Sequence, residues 1–204
     1  EEADEFNRVF DKLYEEFKED EGASVAMNYN TGEVLALVST PSYDANDITL
    51  GVTDAEWNEL QNNEKKPMFN RYLATYVPGS SLKPVVGAIG LKYNSFTADD
   101  DFGRSGTRWQ NDSSWGDLYI TTLETYSGPA NLRNALIYSD NIYFAKSALK
   151  IGASVLEEQF KKIGFDKSLD FPIYMDASQF SNDGEFSSEI QLADTGYGQG
   201  EVLV

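Results

Sequence analysis

The sequence predicts a mixed α/β (α+β) chain, a helical subdomain joined to a small antiparallel sheet that these residues leave incomplete. Two observations carry that reading. One β-hairpin signature stands beside five or six helical segments, and a two-stranded sheet needs more strands or a helical cover to be stable. A glycine-rich turn lies four residues before Val204, so further strands are expected past that point. With 204 residues, 41% apolar and 13% aromatic, the chain can bury one core. No repeat or linker divides it, and residues 1–204 are expected to belong to a single domain.

Phe6, Val9, Phe10, Leu13, Tyr14 and Phe17 recur at helical spacing, giving an amphipathic helix over the first 20 residues that ends at Gly22. "SVAMNYNTGEVLALVST" holds two β-rich runs around Asn30-Thr31-Gly32; the second, Val34 to Val38, is apolar enough to predict a buried strand. "TPSYDAND" leaves the sheet as a loop. "TDAEWNELQNNEKKP" follows as a short helix capped by Thr53 or Asp54, with Glu56 in its first turn. After Pro78-Gly79, Ser80 to Leu91 reads as a buried helix, apolar nearly all round. Residues 93 to 128 are polar and irregular, a length that usually marks a functional surface. A helix from Leu132 to Tyr138 is interrupted by Ser139-Asp140-Asn141, between Tyr138 and Ile142, which both have the character of buried residues. A second helix runs from Ile142 to about Ile151 and closes at Gly152. "LEEQFKKIGF" is amphipathic and stops at Gly164, and the tail "EIQLADTGYGQGEVLV" has a glycine at every second position from Gly196 to Gly200.

A net charge of −18, without any Lys/Arg cluster interleaved with aromatics, argues against nucleic acid as a partner. No apolar run approaches the length of a membrane span. Cysteine and histidine are both absent. Thiol nucleophiles, Ser-His-Asp triads and His-ligated zinc are therefore excluded, and no metal or cofactor is implied. A serine nucleophile in this chain must give its proton to a lysine or a carboxylate.

Ser-x-x-Lys occurs twice, at Ser80…Lys83 and Ser147…Lys150, where roughly one is expected by chance in about 200 residues. Ser147 lies inside a helical pattern and reads as an ordinary helix-surface serine. Ser80 follows a Pro-Gly entry, at a helix start whose unpaired N–H groups can stabilise an oxyanion. Lys83 stands one turn on, in an apolar helix that would favour its neutral, basic form. The same residues also fit a serine cap beside a snorkelling lysine. Ser139 and Asn141 could likewise be helix caps, or a hydroxyl and an amide delivered together into an interior site.

Ser-x-x-Lys followed by Ser-x-Asn is the constellation of the penicillin-recognising serine acyltransferases. "TGEVLALVSTPSYD", "PGSSLKP", "WQNDSSWG", "YSDNIYFA" and "LADTGYGQGE" occur in order from Thr31 to Glu201. Through them the chain resembles the transpeptidase domain of class B penicillin-binding proteins, nearest the low-affinity, methicillin-resistance type of Gram-positive bacteria. The resemblance implies the penicillin-binding-protein/serine β-lactamase-like fold, with residues 1–204 its N-terminal and central part. It implies that Ser80 attacks the D-Ala-D-Ala end of a peptidoglycan stem peptide, with Lys83 as general base. Ser139 would pass a proton to the leaving amine, and Asn141 would bind the substrate amide and place Lys83. The Ser80 N–H would be half of an oxyanion hole, and β-lactams would acylate the same serine. Tyr197 and Gln199 fall in a segment that would approach the substrate; "GYGQGE" is equally readable as a glycine-permitted turn.

The family's Lys-Thr-Gly or Lys-Ser-Gly motif is not in this chain and is expected past Val204. That remaining C-terminal part is thus an expected partner, and the 204 residues alone are expected to be inactive. Ser81 stands where the family more often has threonine. Cell-wall cross-linking implies the outer face of the cytoplasmic membrane and an anchor outside this chain. Two rival readings share the first motif. A serine β-lactamase would need a Glu-x-x-Leu-Asn-type loop, which is missing between Ser139 and Val204. A penicillin-acylated sensor or scaffold without turnover usually carries a hydrophobic residue where this chain has Asn141.

Overall fold

A computed structural model describes residues 20–204 together with Arg8, Lys12, Glu15 and Glu16. The N-terminal amphipathic helix expected from Phe6, Val9, Phe10, Leu13, Tyr14 and Phe17 lies outside the described residues. The chain forms two compact units that part between Ala74 and Thr75.

The first unit contains a two-stranded antiparallel sheet. Strand β1 (Gly22–Met27) pairs with β2 (Val34–Thr40) in a register that sets Val25 opposite Leu37, with an irregularity between Ala26 and Met27. Asn28 closes the connection, its side-chain oxygen accepting the Asn30 N–H at 2.9 Å while Gly32 takes a φ of +74° that favours glycine. The buried strand expected at Val34 to Val38 is corrected: Leu35 is 63% and Val38 46% exposed. Runs apolar on both faces are buried where a sheet is covered on both sides. This sheet has two strands among the described residues, and in its unit it touches the 3₁₀ turn Arg71–Leu73.

Two short helices follow. The loop expected over "TPSYDAND" ends early, since α1 (Ala45–Leu50) begins within it, started by Asp44, whose carboxylate accepts the Asn46 N–H. Its six residues are too few to show a period. Helix α2 (Asp54–Asn62) has the expected capping box, with Thr53 Oγ1 accepting from Glu56 N and Glu56 Oε2 from Thr53 N at 2.8 Å.

The second unit is helical. A 3₁₀ turn, Gly79–Leu82, runs into α3 (Lys83–Lys92), so Ser80 stands on the tighter turn and the α-helix starts at the lysine. Then come α4 (Leu132–Ile137), α5 (Asn141–Ile151), α6 (Ala153–Ile163) and α7 (Glu189–Thr195). The expected irregular region is pinned by a small antiparallel ladder of β3 (Arg108–Trp109) and β4 (Ile120–Thr121). Gly164 ends α6 with φ +113° as expected, and Ser188 caps α7, a helix in the tail that the glycine spacing alone does not predict.

Helix α5 is the axis of the core, with α3 and α7 packed on it. Tyr143, Phe144, Ala148 and Ile151 join Val86, Leu156, Phe160, Phe180 and Val202 in one buried cluster. Gly196 lets the end of α7 approach α5, for a Cβ there would meet Phe144 O at 2.3 Å. Ser147 is corrected from a surface to a buried serine: α5 is enclosed nearly all round, and the hydroxyl donates to Tyr143 O at 2.9 Å within its own helix. Ile142 is buried as expected, whereas Tyr138, the C-cap of α4, is 38% exposed, with its ring stacked on that of Tyr126.

Candidate active site

Pro78-Gly79 builds the entry to the first site residue. Gly79 takes φ +56° and donates its N–H to Gly198 O at 2.9 Å. Ser81 Oγ donates to Pro78 O at 2.7 Å and is thereby occupied by the turn. Ser80, one residue earlier, is exposed, and its N–H belongs to an opening turn that offers no intrahelical acceptor. Three residues on, Lys83 is 2% exposed, its amine reaching back along the turn to lie 3.0 Å from Ser80 Oγ.

The second group comes from the corner between α4 and α5. Asp140 N–H donates to Ala135 O at 2.9 Å, ending α4, and the Asp140 carboxylate accepts Tyr143 N–H at 3.1 Å, starting α5. Between them Ser139 has φ +51°, in the left-handed region that non-glycine residues rarely adopt. That backbone turns both Ser139 oxygens to Lys83: Nζ lies 2.7 Å from Ser139 O and 2.8 Å from Ser139 Oγ. Asn141, the first residue of α5, places Oδ1 2.7 Å from the same nitrogen while its Nδ2 donates to Thr121 O of β4 at 2.9 Å. The two hydroxyls, Ser80 Oγ and Ser139 Oγ, are 2.8 Å apart.

Four oxygens thus surround one amine. Ser139 O and Asn141 Oδ1 can only accept, so two of the Lys83 N–H bonds go to them. The remaining direction, a third N–H in the ammonium or the lone pair in the neutral amine, faces the hydroxyls of Ser80 and Ser139. Once deprotonated, Lys83 can therefore accept a proton from either. Burial lowers its pKa from the ordinary lysine value to about 8, against the Asp140 charge, which raises it. The Phe144 ring, 5.8 Å from Nζ, supplies part of that dry wall.

The structure brings Ser80, Lys83, Ser139 and Asn141 together. Tyr197 and Gln199 belong to the Gly196–Gly200 turn that backs onto Gly79. The Tyr197 hydroxyl donates to Asp194 Oδ1 at 2.5 Å, with its pKa held well above the phenol range by burial and then by that bond; Gln199 is exposed. Neither side chain joins the Lys83 cluster. Sequence reading missed three participants. The Thr121 carbonyl orients Asn141, Gly198 supports Gly79, and Tyr126 donates to Asp140 Oδ2 at 2.9 Å. The glycine spacing was the one signal for Gly198; a backbone carbonyl and a lone tyrosine leave none.

A family model described as "Penicillin binding protein transpeptidase domain" matches residues 22–204. "Penicillin-binding protein 3" of Bacillus subtilis strain 168 is 44% identical over 191 residues, covering 94% of this chain and 28% of the relative. "Peptidoglycan D,D-transpeptidase MrdA" of Escherichia coli K12 is 32% identical over 144 residues, covering 70% and 22%. Among solved structures, penicillin-binding protein A of Mycobacterium tuberculosis, as its ceftriaxone acyl-enzyme complex, superposes with a TM-score of 0.79 at 26% identity, covering 90% of this chain and 42% of that one. A complex of PBP2 with MreC from Helicobacter pylori gives a TM-score of 0.79 at 26% identity, covering 96% and 37%. The chain spans about a quarter of the length of these curated relatives.

Proposed function

Because the chain belongs to the penicillin-binding protein transpeptidase family and has that family's fold, we propose that it is the part of a peptidoglycan D,D-transpeptidase that carries the nucleophile. Ser80 Oγ attacks the carbonyl between the two terminal D-alanines of a stem peptide. Its proton passes to neutral Lys83, the C–N bond breaks with Ser139 relaying a proton to the departing amine, and D-alanine leaves. An amine of a second stem peptide then takes the acyl group from Ser80, which completes the cross-link. Asn141 holds Lys83 and binds the substrate amide, and the Ser80 N–H is one donor to the oxyanion. β-Lactams acylate Ser80 in the same way.

A single observation carries this reading: a buried lysine with a pKa of about 8 has two fixed carbonyl acceptors and turns its remaining valence to two hydroxyls, Ser139 Oγ at 2.8 Å and that of the exposed Ser80 at 3.0 Å. For Tyr197 and Gln199 we keep a substrate-contact role, for which the exposed Gln199 side chain is the better placed. We further place the chain in one transpeptidase domain of the low-affinity, methicillin-resistance type, working at the outer face of the cell membrane from an anchor elsewhere in the protein. No helix of the described residues is long and apolar enough to cross a membrane.

Intact-mass spectrometry of the full-length protein after incubation with penicillin tests the reading. One adduct is expected, absent from Ser80→Ala and from folded Lys83→Ala. An adduct that survives Ser80→Ala would sink the assignment, and steady turnover of a chromogenic cephalosporin would make the protein a β-lactamase instead. Slow acylation by methicillin relative to other β-lactams is expected of the subgroup; fast acylation removes it from that subgroup.

A further inference from the structure

Tyr126 makes two contacts on one corner. Its hydroxyl donates to Asp140 Oδ2 at 2.9 Å, and its ring stacks on Tyr138 with centroids 4.5 Å apart and planes 4° from parallel. Those two residues flank Ser139, whose φ of +51° persists only where the surroundings hold it. Ser139 in turn offers both its carbonyl oxygen and its Oγ to Lys83 Nζ. Tyr126 is itself fixed. Its side chain is buried, and its carbonyl accepts from Arg104 Nη1 at 2.9 Å. The loop that carries Arg104 is fastened to α5 by Lys146, whose amine donates to Phe102 O, Gly103 O and Ser105 Oγ.

We propose that Tyr126 is a positioning residue: by bracketing Ser139 from both sides it holds the left-handed backbone that aims two oxygens at Lys83. It acts through the corner, since its ring stack and hydrogen bonds are with Tyr138, Asp140 and Arg104. Without its hydroxyl, Asp140 Oδ2 loses a donor in a buried place. Without its ring, Tyr138 loses its stacking partner, and Ser139 can relax toward right-handed backbone, which turns its carbonyl away from the amine. The inference rests on Ser80 being the acylated residue.

Acylation of the full-length protein by benzylpenicillin, resolved into the covalent rate k2 and the non-covalent constant KS per titratable molecule, tests it in wild type, Tyr126→Phe and Tyr126→Leu. Hydrogen exchange over residues 136–142 is followed in parallel. The rate k2 is expected to fall about threefold to tenfold in Tyr126→Phe, which keeps the stack, and about 30-fold to 100-fold in Tyr126→Leu, which keeps neither contact. KS should stay within about twofold, because a misplaced base slows chemistry and leaves ground-state binding alone. The Asp140 amide, bonded to Ala135 O, should exchange faster in the same order. Wild-type k2 in a folded Tyr126→Leu, or a change in KS alone, would overturn the proposal. If Tyr126→Leu does not fold, Tyr126→Phe decides, and wild-type k2 with wild-type exchange overturns it. A wild-type protein that is not acylated at Ser80 overturns the functional reading instead, and the exchange comparison still decides the bracket.

Discussion

Raising the pH of the acylation reaction from 6 to 9 should speed it steeply and then stop doing so. In the proposed mechanism Ser80 needs a neutral amine beside it, and Lys83 is held at a pKa of about 8 by burial, with Asp140 opposing. At pH 7 about one-tenth of the molecules then carry the neutral amine, against about one in 3,000 for a lysine at its ordinary value. The fold thus raises the reactive fraction by about 300-fold. Below the pKa, k2/KS, which reports the free enzyme, should rise about tenfold per pH unit and level off above about 8. Asp140→Asn removes the charge that favours the ammonium, so its rising limb should lie at lower pH. The same titration acts on stability. In the window from about 8 to 10 the unfolded chain holds a proton that folded Lys83 has released, so the folded state gains up to about 1.4 kcal/mol per pH unit on going up. Lys83→Met should lose that slope in denaturant titrations. The assay is a pH series of acylation rates with a chromogenic β-lactam. A midpoint at or above about 10, or a flat profile across the range, would refute the assignment of a desolvated lysine base.

Three more outcomes are expected. Asn141→Asp puts a carboxylate where a carbonyl oxygen lies 2.7 Å from Lys83 Nζ; the ammonium is favoured, so acylation at pH 7 should drop at least about tenfold with its rising limb moved to higher pH. Gly198→Ala sets a Cβ 2.0 Å from Gly79 O and 2.7 Å from its carbonyl carbon. The turn carrying Ser80 must shift, and k2 should fall about tenfold or more while circular dichroism stays native; an unchanged rate would mean that the backing turn does not place the serine. Thr53→Ala breaks the capping box with Glu56 and should lower stability by about 1 kcal/mol in urea unfolding, with acylation unchanged.

Much of the local structure was legible because it is decided by neighbours in sequence. Thr53 and Glu56 are three residues apart and cap α2 as their order predicts. Gly152 and Gly164 stop α5 and α6, and Asn30-Thr31-Gly32 sits in the connection that closes the hairpin. Errors arose where burial decides. Val34 to Val38 has the composition of a covered strand and is largely exposed; Ser147 has the look of a surface residue and is sealed within α5. A composition says which surroundings a residue tolerates, whereas its surroundings are set by elements far along the chain.

The candidate site divides along the same line. By itself the sequence determined that any serine nucleophile must use a base other than histidine, and that Ser80 and Lys83, three residues apart at a helix start, are within reach of each other. The apolar helix around Lys83 pointed to a dry amine but fitted a snorkelling lysine as well; the tertiary structure decided between the two, and put Ser139 and Asn141, 56 and 58 residues further on, where they take its N–H bonds and leave its lone pair for the hydroxyls of Ser80 and Ser139. Spacing along a helix fixes which side chains can touch. Desolvation and the direction of an amine's last valence depend on packing α5 and the strained Ser139 corner against α3, and that is a property of contacts between distant segments.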